Sequence, residues 1–246
     1  MRALLTSISF LTVAPVAART PLREGDLGRA AVCFPLVGLL LGLALAAVDH
    51  GARMLWDPYV ASALVIGAAL LVTGGLHLDG FLDTADALAS RRDREGMLAV
   101  MRDARIGALG AAAGTALLLA KLAAYGHLTG HDRWRAIAAV PVLGRLGIVL
   151  AAAVFPTARP GGLGARFASE AGLRHLLGAA LLAAAIAFGL LQWTGLMLAT
   201  AAIACSALLG WWLSRRFGGL TGDAYGAINE AIELAVLLMA GASLNR

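Results

Sequence analysis

Residues 58–86 read PYVASALVIGAALLVTGGLHLDGFLDTAD, and no residue from Pro58 to Leu76 carries a charge. The uncharged part matches the roughly 20 residues that a helix needs to cross a hydrocarbon core. Where it ends, Asp79, Asp83 and Asp86 follow at i, i+4 and i+7. At about 100° per residue the three carboxylates fall within one narrow arc of a helix. Like charges that close repel by roughly 2–3 kcal/mol per pair at an effective dielectric near 20, so a positive partner is expected between them. A divalent, oxygen-loving cation is the obvious candidate. A merely solvated helix end would scatter its acids and intersperse bases, whereas here no base appears before Arg91.

The whole chain shares the character of that apolar stretch. It has 246 residues, is 60% hydrophobic and 14% charged, and has a mean hydropathy of +0.80. Such a composition belongs to a multi-spanning membrane protein. The apolar runs are of helix length and lack the alternation of an outer-membrane barrel, so the expected fold is all-α, a polytopic helical bundle. Seven spans are expected near 32–48, 58–76, 106–125, 134–155, 173–192, 195–213 and 225–243. They belong to a single integral membrane domain, 1–246, preceded within it by an interfacial N-terminal segment, 1–31. Residues 173–213 form one apolar run, divided here at Gln192-Trp193-Thr194-Gly195.

Cytoplasmic loops retain basic residues. With the N-terminus inside, cytoplasmic segments hold fourteen: Arg2, Arg19, Arg23, Arg29, Arg91, Arg92, Arg94, Arg102, Arg105, Arg159, Arg166, Arg174, Arg215 and Arg216. The other side holds four, Arg53, Arg133, Arg135 and Arg246, leaving Lys121 and Arg145 within spans. This asymmetry implies a multi-pass protein of the cell (inner) membrane with a cytoplasmic N-terminus. Arg2, the apolar residues after it and Ala17-Ala18 have the outline of a signal peptide. Thr6, Ser7, Ser9, Thr12 and Pro15 interrupt it, which suits an interfacial helix better. Cys33 and Cys205 both fall in spans and imply no disulfide framework. The net charge of +5 reflects topology, and without a basic patch interleaved with aromatics no nucleic-acid partner is expected.

Nearly every residue capable of chemistry lies in the loops near 77–105, 156–172 and 214–224. In Met101–Gly107, Arg102 and Arg105 flank Asp103. Two guanidinium groups one turn apart can clamp phosphate oxygens, although a positive-inside anchor explains them equally. Gly218, Gly219 and Gly222 lead into Asp223, Asn229, Glu230 and Glu233. The glycines let a backbone approach a ligand. Asp223 and Glu230, seven apart, share a helix face, with Asn229 and Glu233 flanking it. Each acid inside the last span would cost on the order of 3 kcal/mol against lipid, so both must face a polar interior or a cation. Protonated acids hydrogen-bonded within the bundle are the alternative.

Both acidic segments begin Gly-Gly-Leu-X-X-Asp and place a second acid seven residues later. They read as two helices meeting one site rather than as an internal repeat. The stretch Ala158–Phe167, with Arg159, Arg166 and three glycines, has the composition of a flexible substrate-facing loop or of a linker. His77, on the opposite side of its helix from Asp79, reads equally as a substrate contact or as a cap for the preceding span. Arg145 is expected to reach a polar interior or a salt bridge, and Lys121 to snorkel to the far surface. Gly38-X-X-X-Gly42 and Gly110-X-X-X-Gly114 read as close helix contacts, and Trp211-Trp212 as an interfacial belt.

Carboxylates from several helices at one membrane surface, joined by Arg and glycine-rich segments, suit metal-assisted chemistry on a diphosphate. In Gly74–Leu88, Met101–Gly110, Phe34–Gly38 and Gly218–Glu230, taken in that family's order over most of the chain, the sequence resembles the cobalamin synthases, or adenosylcobinamide-GDP ribazoletransferases. It departs from them in Phe10–Pro15, which lacks a basic residue before the proline, and in Phe81-Leu82, which replaces a smaller pair. The resemblance implies a transferase of cobalamin biosynthesis that joins adenosylcobinamide-GDP to α-ribazole, or its phosphate, releasing GMP with Mg²⁺. It also implies association with other cobalamin assembly enzymes. Asp79, Asp83 and Asp86 are then expected to hold metal and diphosphate. Asp223 and Glu230 complete the site, Glu230 as a further metal ligand, or activate the ribazole hydroxyl as a general base. Arg102 and Arg105 would neutralise the departing GMP, with His77, Asp103, Asn229 and Arg159 as further substrate contacts.

CDP-alcohol phosphotransferases and membrane prenyltransferases share this logic, but their motifs, Asp-X-X-Asp-Gly-X-X-Ala-Arg and Asn-Asp-X-X-Asp, are absent. A secondary transporter would place its acids at the midplane of repeated halves, whereas these gather towards one surface.

Overall fold

The computed structural model describes residues 1–16 and 21–244; Ala17-Ala18, Arg19 and Arg246, which entered the sequence reading, lie outside them. The described residues form a polytopic helical bundle: α1 (Arg2–Leu11), α2 (Asp26–Arg53), α3 (Pro58–Thr73), α4 (Leu76–Ala89), α5 (Arg94–Val100), α6 (Ala108–His127), α7 (Arg133–Val154), α8 (Gly162–Glu170), α9 (Leu173–Phe217) and α10 (Gly222–Leu244). An isolated parallel bridge pairs Thr157 with Leu220.

The core is built round α7, in which every residue from Ala136 to Ala152 is buried. A helix apolar on all sides is a core helix. Small residues bring its neighbours in. A Cβ on Gly38 would lie 2.6 Å from the Pro141 carbonyl oxygen, and Gly42 sits as tightly on Ala138. The expected glycine contact is therefore the α2–α7 seam. Ser206 on α9 donates to the Gly147 carbonyl at 2.9 Å, tying α9 to the same helix. On the face away from the acids, Arg133 is fully buried; it donates to Asp49 (2.8 and 2.5 Å), to Ser62 (3.2 Å) and to the carbonyls of Leu128 (2.7 Å) and Tyr125.

Among the described residues five helices are long and apolar enough to cross a membrane, six if α3 and α4 are one broken span, against the seven expected. The difference lies in two places. α3 is short and turns by 92° into α4, through Gly74 and Gly75 with φ of 62° and 70°. A left-handed pair is open to glycine at little cost. α9, nominally continuous, breaks at Gln192 (φ 53°, ψ −134°). Beyond the break Gly195 packs on the Ala187 backbone, and the Trp193 ring meets Phe188 edge-on at 5.6 Å. Residues eight apart in a straight helix stand about 12 Å apart, so the chain doubles back there, at the point where the sequence suggested dividing the run.

The stretch expected to be a flexible loop or linker contains α8. Its helix is held by Phe167, stacked on Phe34 at 5.1 Å and tilted against Phe10 at 5.3 Å. Glu170 fixes its end by accepting from Leu27 N at 2.8 Å, at the start of α2. Packing of one large ring has overridden a glycine-rich composition. α1 lies on α2, burying Thr6, Ser7 and Leu11, and its Arg2 pairs with Asp26 at 2.7 Å. Trp211 and Trp212 are exposed near the end of α9, with Arg215 over the Trp211 ring at 4.8 Å.

Candidate active site

The buried residues of α4 are His77, Gly80, Thr84 and Ala87, a stripe at helical spacing. Gly80 marks the crossing with α10, since a Cβ there would stand 2.7 Å from the Asp223 carbonyl oxygen. On α10, Gly226 answers it, 2.8 Å by the same measure from the His77 carbonyl. Two glycines thus let the acidic ends of α4 and α10 meet. Asp79 is exposed, and Asp83 and Asp86 are half-buried on the arc beside the stripe. Asp83 lies within electrostatic range of Asp79, Asp223 and Asp86, so the structure brings together four of the expected acids.

They are not equivalent. Both oxygens of Asp86 are engaged, accepting from Gly107 N at 2.7 Å and Gly110 N at 2.6 Å. This carboxylate caps α6, whose first amides have no partner of their own. The Oδ2 of Asp223 is buried, lies 3.5 Å from Arg159 Nη2 in a long ion pair and accepts no hydrogen bond. Asp79 and Asp83 make no ion pair among the described residues.

The α4 acids stand between two clefts. One, of about 660 Å³, is mostly apolar and is lined by Phe10, Val13, Leu78 and Leu82 with Thr12, Thr73 and Asp79. The other, of about 740 Å³, is lined by Asp86, Ser90, Arg92, Asp103, Arg105 and Gly107. Residues 101–107 are a loop rather than a helix, so the spacing of Arg102 and Arg105 does not itself make a clamp. Arg102 is exposed, and Asp103 holds Arg105 at 2.7 Å. Hydrogen bonds from the Arg105 side chain and backbone hold the Asp103 carboxyl down at about 2.

Three expected site residues lie elsewhere. Glu230 is buried and bonds to Lys121 Nζ at 2.6 Å, about 10 Å further along α10 than Asp223, so it is not brought to the α4 acids. His77 and Asn229, expected to touch substrate, are buried in the bundle. Asn229 Nδ2 donates to Glu233 at 3.1 Å, and His77 Nδ1 lies 3.4 Å from Arg145 Nη2. His77 is about 200° round α4 from Asp79, so when the acids face outwards it must face in. Lys121 does not snorkel. It is buried and bonds to Glu233 at 2.7 Å as well as to Glu230. Arg145 completes the cluster by donating to Glu233.

Sequence reasoning passed over Arg94. It donates at 3.2 Å to the carbonyls of both Ala158 and Gly218, so it ties the start of α5 to the two loops flanking Asp223. One more base in a basic loop gives no signal of that role.

Among the described residues no three His, Cys, Asp or Glu side chains form a ready-made metal cage. Mg²⁺ does not ask for one. It takes one or two carboxylates and fills its shell with water and substrate phosphates. Asp79 and Asp83, hard donors without ion-pair partners, fit that demand.

The cobalamin-5-phosphate synthase family model matches residues 3–241. An adenosylcobinamide-GDP ribazoletransferase of Roseiflexus sp. (strain RS-1) is 40% identical over 233 residues, covering 94% of this chain and 86% of its own. One from Herpetosiphon aurantiacus is 39% identical, covering 98% and 97%, and one from Pseudomonas paraeruginosa 37%, covering 97% of each. No solved structure matches the chain. With nearly its whole length aligned, the chain belongs to the cobalamin-5-phosphate synthase family.

Proposed function

We propose that this chain joins adenosylcobinamide-GDP to α-ribazole, or to α-ribazole 5′-phosphate, at the α4–α10 crossing. The observation that carries the reading is the meeting of Asp79, Asp83 and Asp223 with, among the described residues, no ion pair to a base but that of Asp223 with Arg159. A ribazole hydroxyl attacks the corrinoid-side phosphorus of the diphosphate, the P–O bond to GMP breaks, and GMP leaves with the electron pair. Asp79 and Asp83 would hold Mg²⁺ against the diphosphate. The metal, when bound, supplies charge neutralisation on the phosphoryl oxygens. Asp223, with one oxygen unsatisfied, is the base that takes the hydroxyl proton. Arg159 and Arg105 offset the charge that gathers on GMP. The arginine-lined cleft suits the guanosine diphosphate, and the apolar one suits the aromatic base of α-ribazole.

Arg-rich loops on the acid-bearing face support an orientation with that face and the N-terminus in the cytoplasm of the cell that makes the protein. The bilayer then holds a large corrinoid next to the enzymes that act before this one.

The test is to incubate the purified protein in proteoliposomes with both substrates, with Mg²⁺ or with EDTA, and to follow adenosylcobalamin and GMP by chromatography. Equal amounts of both products, formed only with Mg²⁺, are expected. No product from a folded sample, or product formation indifferent to EDTA, would overturn the reading.

A further inference from the structure

Inside the bundle, Lys121, Arg145, Glu230 and Glu233 form a closed set of two bases and two acids, each less than a tenth exposed. They come from α6, α7 and α10. Stability alone does not call for such a set, because a well-packed apolar quartet is often as stable as a buried ionic one. What the ions add is directionality, since each pairing works in one register only.

The fourth helix to reach the set is α4, through His77 and Arg145. α4 has need of such an anchor. It follows a 92° bend through two glycines, and no side chain caps its first turn. Of its two buried polar side chains, His77 (4% exposed) and Thr84 (3%), His77 is the one that reaches the charge set, and Asp79 and Asp83 follow within two turns. A shift of about 1 Å at a reacting group can cost about a hundredfold in rate.

We propose that the buried charge set is a positioning device, which fixes the rotation and depth of α4 through Arg145 and His77 and so aims Asp79 and Asp83. This rests on the reading of those two acids as the metal- and diphosphate-holding groups. His77 and the four charged residues are positioning residues and touch no substrate.

The test compares His77→Leu, which loses the ring nitrogens without removing a charge, with His77→Asn, whose amide can replace Nδ1, and with Lys121→Arg, which keeps the charge balance. In proteoliposomes kcat should fall about 10- to 100-fold in His77→Leu, the Mg²⁺ concentration for half-maximal rate should rise, and KM for α-ribazole should change little. Recovery is expected in His77→Asn. Independently of activity, spin labels at Ser90, the residue that ends α4, and at Leu238 on α10, in a background without Cys33 and Cys205, should show a broadened distance distribution in His77→Leu. A folded His77→Leu with parental kcat, Mg²⁺ dependence and distances would overturn the proposal. So would equal loss in both His77 variants, which ring packing alone would explain, or failure of both His77→Leu and Lys121→Arg to fold, which would assign the set to stability only. Asp83→Asn is run alongside. Full activity there would overturn the site reading and the aiming role with it, whereas its loss beside a parental His77→Leu would overturn the positioning role alone.

Discussion

Two groups of acids meet on α10, one of them shared with α4 and the other its own, and they have opposite surroundings. At the crossing, Asp79, Asp83 and Asp223 face one another, and among the described residues Arg159 is the one base that pairs with any of them. Deeper along α10, Glu230 and Glu233 are matched by Lys121 and Arg145. Seven residues of α10 separate an acid that still calls for a cation from one whose cation is built in. Acidic spacing alone, i and i+7 in both segments, does not tell the two apart; the bases contributed by other helices do.

The comparison can be broken most severely at the open end. Asp83→Asn removes a carboxylate that nothing else replaces, and turnover should fall about 10²–10³-fold with thermal stability unchanged or raised, because repulsion among the acids is relieved. A stable variant with parental kcat would equate the two groups.

At the closed end the effect should appear in stability. Lys121→Met leaves two buried glutamates with one base, and breaking a buried pair from one side costs about 3–5 kcal/mol. The double change Lys121→Met with Glu230→Gln should recover much of that loss. Denaturation followed by helix content in detergent would show it, and additive losses would deny that the residues act as a unit.

The smallest effect is expected at the rim. Asp103 and Arg105 are solvent-exposed, and exposed pairs contribute little. Asp103→Ala should raise KM for the guanosine diphosphate substrate by about two- to threefold, as Arg105 loses its orientation. The carboxyl sits at about 2, below the ordinary value. The pair is therefore fully formed above the usual carboxylate range and is lost only as pH falls towards 2. Between pH 6 and 9 the ratio of variant to parent KM should stay flat; a ratio that drifts would mean that another group titrates there.

Much of this arrangement was legible in the sequence. The charge-free stretch before Asp79, the arc of three aspartates and the glycines ahead of Asp223 anticipate the crossing where these acids gather, and Gln192 marks the reversal in the longest apolar run. What was not legible depends on partners far off in the chain. Lys121 was expected to snorkel to the far surface because a lone base in an apolar helix says nothing about which acids face it. His77 and Asn229 looked like substrate contacts because polar residues beside a site resemble one another until a helix is given its rotation. Asp86 continues the arc of Asp79 and Asp83 in sequence, yet its oxygens are taken up by the first turn of α6. The glycines of 161–164 suggested a loose segment, and the single ring of Phe167 decides otherwise.

The internal ion pairs also have a history within the making of the chain. Arg145 precedes its partner Glu233 by 88 residues, and Lys121 precedes it by 112. At about 5–20 residues per second of synthesis, Arg145 waits roughly 4–18 s for its acid to emerge. During that interval two unpaired cations sit on helices already delivered to the bilayer. Until the last helix arrives, the nascent bundle is an incomplete assembly whose bare charges lipid will not accept, and a ribosome stalled before α10 would present them to the insertion and quality-control machinery of its membrane.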